Sequence, residues 1–182
     1  MRSATEQPRA TATQPPFRLL ETLRPWVVEA ESSFDAIDGE RKERLMDVAG
    51  AIRTERERHG HAAVTFICTH NSRRSQLAQI WARAAAHAYG LDGVSIGSGG
   101  TEATACNVRT VRTLRRSGLS VAVAEPGQNP VYLVQYAEDA EPVRAFSKVY
   151  RDPPNPRQGF LAVMTCSDAD AACPIVAGAK NR

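Results

Sequence analysis

The sequence predicts an α/β fold: a small open parallel sheet with helices on both faces. Three short apolar runs, at 62–68, 93–97 and 160–166, have the composition of buried strands. A loop and a helical pattern follow each of the first two runs, and strand, loop and helix make the first half of a βαβ unit. We therefore expect the first strand to be central and the functional site to lie at the carboxyl ends of the strands.

The residues before this core divide into two segments. Residues 1–16 are rich in Thr, Ala, Gln and Pro and have no apolar periodicity, so we expect a disordered tail. Residues 17–60 carry apolar side chains at helical spacing, which predicts an N-terminal extension of two or three helices. The remaining residues, 61–182, form the predicted α/β domain.

The first two strands are each paired with a helix. The polar loop after the strand at 62–68 leads into an alanine-rich helix that ends at Gly90. The strand at 93–97 precedes a second helix, predicted over residues 107–117, and Gly118 ends it. These two units are the basis for the predicted parallel sheet.

A different pattern lies between the second helix and the third strand. Residues 131–136 and 143–150 alternate apolar and polar side chains on either side of an acidic turn at 138–141. This pattern is typical of an antiparallel hairpin, here inserted between elements of the sheet. A proline-rich loop at 151–156 then leads to the strand at 160–166, which ends in a cysteine as the first strand does.

Composition excludes several classes of function. The net charge of +3 comes from basic and acidic residues that are interspersed along the chain, so we expect no nucleic-acid partner. No apolar run is long enough to span a bilayer, and the first residues lack the apolar segment of a secretory signal. We therefore expect no membrane association and a cytoplasmic location. The cysteines are too sparse for a disulfide framework and are interpreted as catalytic, redox-active or buried thiols.

The loop after the first strand has the features of an anion site with a cysteine nucleophile. Five residues separate Cys68 from Arg74, and Ser75 follows directly. Backbone N–H groups at a helix N-terminus converge on one point, where the helix dipole adds partial positive charge. Arg74 can offer two guanidinium N–H groups to the same anion. The same field stabilises a thiolate, so we predict that Cys68 is a nucleophile near neutral pH.

We assign oxyanion binding to the whole loop. Asn71 tolerates the left-handed backbone that a tight cradle needs, and Ser72 and Ser75 can donate hydrogen bonds to loop atoms or to the sulfur. Arg73 adds a second cation, which either attracts the anion or faces solvent. The predicted oxyanion-binding residues are Thr69, His70, Asn71, Ser72, Arg73, Arg74 and Ser75.

The part of the chain after the N-terminal extension resembles the low-molecular-weight protein tyrosine phosphatases and the thioredoxin-coupled arsenate reductases that share their fold. Residues 68–76 are similar to the family's phosphate loop, residues 98–102 to the segment after its second strand, and residues 107–118 to its second helix. The resemblance implies a nucleophilic role for Cys68 and oxyanion binding by Arg74 and the loop amides. We expect no cofactor and no metal ion.

The other end of the chain distinguishes the branches of this family. Residues 166–174 look like the redox segment of thioredoxin-coupled arsenate reductases. The resemblance implies a relay in which Cys68 attacks arsenic(V), Cys166 attacks Cys68 and Cys173 attacks Cys166. A thioredoxin-like partner would then reduce the last disulfide. Inert buried thiols are the alternative for this pair, and Cys106 is interpreted as a packing residue.

Three functions therefore stay open: arsenate reduction, phosphomonoester hydrolysis, or a truncated and impaired oxyanion-binding or redox-sensing module. The family's general acid is an Asp followed by Pro, placed beyond the redox segment. Asp152-Pro153 has this sequence but precedes the third strand, so we expect a turn there. We expect the acid, the last strand of the sheet and the final helix to be missing, which makes the predicted domain C-terminally incomplete.

Overall fold

The structure, a computed structural model, describes residues 18–172 and 175–182. The predicted tail at 1–16 and the predicted relay residue Cys173 lie outside the described residues. In chain order the described helices and strands are α1 (Arg24–Ser32), α2 (Gly39–His59), β1 (Ala62–Cys68), α3 (Arg74–Ala88), β2 (Val94–Gly100), α4 (Val108–Arg116), β3 (Ser120–Glu125), β4 (Val131–Gln135), β5 (Val143–Ala145), β6 (Phe160–Met164), α5 (Ser167–Ala172) and β7 (Ala179–Asn181).

The main sheet has four parallel strands in the order β2-β1-β6-β7. Strand β1 pairs along its whole length with β2, and its residues 64–67 pair with β6 on the other side. Helices flank the sheet, so the predicted α/β fold is confirmed. Because β1, β2 and β6 run in the same direction, the segments that follow them meet at one edge.

The fourth strand corrects an expectation. Strand β7 lies parallel to β6, with Phe160 paired to Ala179. The prediction that the domain lacks the last strand of its sheet is therefore wrong. Lys180 also joins this strand to α2, because its ammonium lies 2.5 Å from the Glu55 carboxylate. A strand of three residues is too short to show an alternating pattern, and this is why the sequence did not reveal it.

The inserted hairpin is part of a second sheet. Strands β4 and β5 are antiparallel, as predicted, and β3 adds a third strand beside β4. Most of β3 is exposed, so it lacks the alternation of a half-buried strand and was not predicted. Strand β5 is shorter than the predicted 143–150, because the chain leaves the hairpin after Ala145. Val149 then bridges Gly100 at the end of β2, which places residues 146–150 beside the edge of the main sheet at which β1 and β2 end.

Two helices occupy most of the N-terminal extension. The Asp38 carboxylate caps α2 by accepting a hydrogen bond from the Arg41 N–H at 2.9 Å. Gly60 ends the helix with a φ of 71°, in the left-handed region that favours glycine. Leu19 and Leu23 are buried in the core cluster that also contains residues of α3 and α4. No helix within the described ranges is both long and apolar enough to cross a membrane.

Candidate active site

Cys68 lies at the point where β1 ends and the loop to α3 begins. Its side chain is buried, and its sulfur lies 3.1 Å from the Ser75 hydroxyl oxygen. The backbone N–H groups of Asn71, Ser72 and Ser75 also donate hydrogen bonds to this sulfur. No side chain caps α3 at its first turn, so its amides are free to face the thiol. The loop and the first turn of the helix together form the predicted cup of amides around Cys68.

Two opposing effects act on the ionisation of Cys68. Burial raises the pKa of the thiol, because a thiolate loses solvation inside the protein. Hydrogen bonds from the Ser75 hydroxyl and from the backbone N–H groups of Ser75, Ser72 and Asn71 favour the charged form, and they outweigh burial. The pKa of Cys68 therefore lies below its ordinary value, which increases the fraction of nucleophilic thiolate near neutral pH.

Asn71 holds the loop in shape. It is fully buried and has a φ of 46°, the one non-glycine residue with a positive φ among those described. Its side-chain nitrogen donates to the hydroxyls of Ser75 at 2.8 Å and Ser98 at 3.0 Å. Its side-chain oxygen accepts from the Lys148 N–H and from the Gln76 amide, each at 3.1 Å. One side chain thus joins the loop to β2, to α3 and to the segment after the hairpin.

The segment between β2 and α4 supports the loop from another side. The Ser72 hydroxyl donates to the Ala105 carbonyl at 2.6 Å. The Ser72 carbonyl accepts hydrogen bonds from the Asn107 N–H at 3.0 Å and from the Thr110 hydroxyl at 3.1 Å. The hydroxyl and carbonyl of Ser72 are thus held by this segment. Its backbone N–H group remains available to donate to the Cys68 sulfur, and its direction is fixed.

Gly100 allows β2 to approach the loop closely. A Cβ atom at this position would lie 2.6 Å from the Thr69 carbonyl oxygen and 2.8 Å from the Asn71 nitrogen. A side chain here would therefore displace the loop backbone. The sequence resemblance included residues 98–102 but did not indicate this steric requirement, nor the contact between Ser98 and Asn71.

A cleft of about 290 Å³ opens over the loop. Both arginines of the loop are exposed at this cleft, and none of its described lining residues carries a carboxylate. Its lining is polar and cationic, which suits a small anion. The residues that line it are Cys68, His70, Ser72, Arg73, Arg74, Thr104 and Asn107.

A second cleft, of about 410 Å³, lies elsewhere and contains none of the predicted site residues. Arg151, Asp152 and Arg157 are part of its lining. The Asp152 carboxylate accepts a hydrogen bond from the Val149 N–H at 3.2 Å, within a turn of the backbone. The Asp152-Pro153 dipeptide is thus part of a turn, as expected, and is not among the residues that line the anion cleft.

Cys166 lies next to the loop. It follows β6, and the Thr165 N–H donates to the Ile67 carbonyl at 2.8 Å, which aligns it with the end of β1. The Cys166 sulfur is half-buried and lies 3.8 Å from the Thr69 hydroxyl oxygen. Cys68 and Cys166 are both free thiols. The structure thus places one of the two predicted relay cysteines beside Thr69, the residue that follows Cys68.

Burial dominates the pKa of two further side chains, Cys106 and Lys148, in contrast to Cys68. Burial raises the pKa of the Cys106 thiol to about 11, although the charge of Lys148 opposes this. Burial, together with the charge of Arg83, lowers the pKa of Lys148 to about 8. The Lys148 ammonium lies 4.7 Å from the centre of the Phe146 ring. Cys106 is therefore protonated at neutral pH, in agreement with its interpretation as a packing residue.

Comparison with known proteins identifies the pattern in this part of the chain. Residues 63–131 match the family model of the low molecular weight phosphotyrosine protein phosphatases. The resemblance to this phosphatase family is therefore confirmed. The match begins in β1 and includes the cysteine loop, α3, β2, α4 and β3. A comparison with curated proteins finds no match to the chain. The match to this family supports an enzymatic activity that uses a cysteine nucleophile on phosphate or a related oxyanion.

The two loop arginines are expected to differ in their effect on anion affinity. Arg74→Ala removes a planar donor beside the cup, so we expect phosphate affinity to fall by about 10- to 100-fold, the value of a charged hydrogen bond. Arg73→Ala is the matched control. The family resemblance gives oxyanion binding to Arg74 and not to its neighbour, so Arg73→Ala should change affinity by less than about fivefold. Isothermal titration with inorganic phosphate measures both. A larger loss for Arg73 than for Arg74 would contradict this assignment.

Proposed function

We propose that this protein is an arsenate reductase in which Cys68 is the nucleophile and Cys166 and Cys173 form a redox relay. The observation that supports this proposal is the position of the Cys166 sulfur, 3.8 Å from the hydroxyl of Thr69, the residue directly after the nucleophile. Simple hydrolysis of a phosphomonoester needs no second thiol at this place. A thioredoxin-like protein is the proposed reductant.

The first step forms a bond between sulfur and arsenic. The thiolate of Cys68 attacks arsenic(V) of H₂AsO₄⁻, and one oxygen leaves after taking up a proton. The products are a covalent adduct of Cys68 with arsenic, S–AsO₃H⁻, and one molecule of water. The amides around Cys68 and the guanidinium of Arg74 stabilise the negative oxygens as the bond forms. The lowered pKa of Cys68 supplies the thiolate.

The second step transfers electrons. The thiolate of Cys166 attacks the sulfur of Cys68, the S–As bond breaks, and its electron pair reduces arsenic(V) to arsenic(III), which leaves as arsenous acid after taking up two protons. Cys173 then attacks Cys166, which releases Cys68 as a thiolate and moves the disulfide to Cys166 and Cys173. A dithiol of the thioredoxin type reduces this last disulfide and is itself oxidised to a disulfide.

Replacement of Cys166 tests the relay. We expect Cys166→Ser to reduce multi-turnover arsenite production to the background rate, because the thiol beside Thr69 that would release arsenic(III) is then gone. Phosphate affinity should stay within about twofold, since the anion cup does not include this sulfur. The assay couples arsenate reduction to thioredoxin, thioredoxin reductase and NADPH. Cys106→Ala, a buried cysteine with no role in the relay, is the matched control, and unchanged turnover in Cys166→Ser would eliminate the relay.

Phosphomonoester hydrolysis is the second candidate, and the match of residues 63–131 to the phosphatase family favours it. It requires Cys68, Arg74 and a proton donor for the leaving alcohol. Hydrolysis of para-nitrophenyl phosphate, measured beside thioredoxin-dependent arsenate reduction, separates the two functions. Hydrolysis without arsenate reduction would reverse the ranking. Phosphate binding with neither reaction would favour the third possibility, an impaired oxyanion-binding or redox-sensing module.

A further inference from the structure

The anion cleft contains an imidazole that is paired with a carboxylate. His70 lines the cleft together with Cys68. Its Nε2 atom lies 2.7 Å from the Glu102 carboxylate, and the two side chains are 50% and 61% exposed. We infer that His70, oriented by Glu102, donates the proton that the leaving oxygen takes up when Cys68 attacks the oxyanion. This inference rests on the proposed cysteine-nucleophile chemistry, and it applies to arsenate and to phosphomonoesters alike.

Hydrogen bonds to other segments fix the backbone at both residues. The His70 carbonyl accepts a hydrogen bond from the Ser147 hydroxyl at 2.7 Å. The Glu102 N–H donates to the Thr69 carbonyl at 3.0 Å. The backbone φ of His70 is not positive. In this loop, Asn71 is the residue in the left-handed region. The imidazole is thus attached to the unstrained part of the loop, and the residue that orients it is anchored to Thr69, between the nucleophile and the histidine.

The other lining residues do not suit this task. The guanidiniums of Arg73 and Arg74 stay protonated, so they bind anions but do not give up a proton. Thr104 and Asn107 do not ionise in the neutral range, and the Ser72 hydroxyl already donates to a backbone carbonyl. Among the described residues that line the cleft, His70 carries the side chain, other than the thiol, that most often acts as a general acid or base in enzymes.

The chemistry uses the two nitrogens of the ring separately. In the imidazolium, both nitrogens carry a proton, and the Nε2–H group donates to the Glu102 carboxylate. The Nδ1 proton then passes to the oxygen that leaves arsenic, which departs as water, or to the ester oxygen of a phosphomonoester, which departs as an alcohol. In the hydrolytic reaction the neutral ring afterwards takes a proton from the water that attacks the phosphoryl group on Cys68. His70 thus returns to its starting form in each cycle of hydrolysis.

Chemical rescue distinguishes a proton donor from a structural residue. We expect His70→Ala to lower turnover by about 100-fold, the lower end of what general acid catalysis contributes. Phosphate affinity by isothermal titration should fall by less than about fivefold, because the amide cup is intact and the lost imidazole is an exposed group. Free imidazole added to His70→Ala should restore a large part of the rate, with saturation. The substrate is whichever of arsenate and para-nitrophenyl phosphate the wild type turns over.

His59 offers a matched control. It lies on α2, is 55% exposed, and pairs with the Glu55 carboxylate at 3.9 Å, away from the cleft. His59→Ala should keep wild-type turnover and should not respond to imidazole. Glu102→Gln, which leaves the loop sequence intact, should lower turnover by about 10-fold, and imidazole should not rescue it. If His70→Ala no longer binds phosphate, the turnover of Glu102→Gln tests the inference in its place.

The outcomes separate this inference from the function on which it rests. Turnover that depends on Cys68 but is unchanged in His70→Ala would overturn the proton donor and leave the proposed function intact. The proton donor is likewise overturned if His70→Ala binds phosphate, is slow and does not respond to imidazole. A wild-type protein that turns over neither substrate would overturn the proposed function and this inference together.

Discussion

Cys68→Ser is expected to lower turnover by about 10⁴-fold or more, since removal of a covalent nucleophile leaves only binding and positioning by the remaining site. A hydroxyl at this position has no comparable tendency to ionise, and the cup of amides cannot compensate for that difference. The anion cup itself is built from backbone N–H groups and Arg74, so the variant should still bind inorganic phosphate. Turnover is measured with arsenate and with para-nitrophenyl phosphate.

The rate of cysteine alkylation is an independent measure of the reactivity of Cys68 and of how that reactivity depends on pH. Because the pKa of Cys68 is below its ordinary value, iodoacetamide should modify it faster at neutral pH than it modifies a free thiol. The rate should fall as the pH drops through that lowered pKa and the thiolate is protonated. Burial raises the pKa of Cys106 to about 11, so Cys106→Ala should leave the fast phase of alkylation unchanged. The test is made in a background with Cys166→Ser and Cys173→Ser, because the relay thiols can also be alkylated. A fast phase that survives when Cys68→Ser is added to this background would contradict the assignment of Cys68 as the nucleophile.

Asn71→Ala is expected to reduce the free energy of unfolding by about 3–5 kcal/mol, because it removes several buried hydrogen bonds and places alanine in the left-handed region. The side chain makes contacts with Ser75, Ser98, Gln76 and the Lys148 backbone, and the alanine variant removes one hydrogen bond from each of these groups. Turnover should also fall sharply, since the amides would no longer converge on the thiol. Urea denaturation gives the stability, and phosphate titration reports the state of the cup.

Two further variants separate the two causes of the lower unfolding free energy, which are the lost hydrogen bonds and the left-handed backbone. Asn71→Gly keeps access to the positive φ of 46° but loses the side chain, so it should recover about 1 kcal/mol relative to the alanine variant. Ser98→Ala removes one partner of Asn71 and should cost about 1–3 kcal/mol. If Asn71→Ala reduced the free energy of unfolding by less than Ser98→Ala does, the hydrogen-bond network would not be centred on Asn71.

The loop was accessible to sequence reasoning because its chemistry is local. Cys68, Arg74 and Ser75 lie in one short segment between a strand and a helix, and each residue type is informative at its place. The same holds for α4, whose cap Asn107 was predicted at the start of the helix. The parallel sheet followed from the order of the elements, since only a few arrangements connect them.

The parts that were missed depend on contacts between segments that are distant in sequence. Ser98, Ser147 and Lys148 support the loop, but each is an ordinary residue in its local context, and only tertiary structure brings them together. The carboxylate of Glu102 beside His70 is a further example. Strand β7 was missed for another reason, because it is defined by pairing with β6 and has no pattern of its own.

The cup of amides around the Cys68 sulfur also links protonation to folding. In the unfolded chain this thiol has an ordinary affinity for its proton, whereas in the native protein that affinity is weaker. The resulting stabilisation is complete above the pKa of the unfolded thiol, and it is lost as the pH falls through the native value. A Cys68 whose sulfur is permanently alkylated would lose this stabilisation, because it cannot form a thiolate. The acidity of this cysteine is therefore acquired on folding, and a nascent or denatured chain does not carry an unusually reactive thiol.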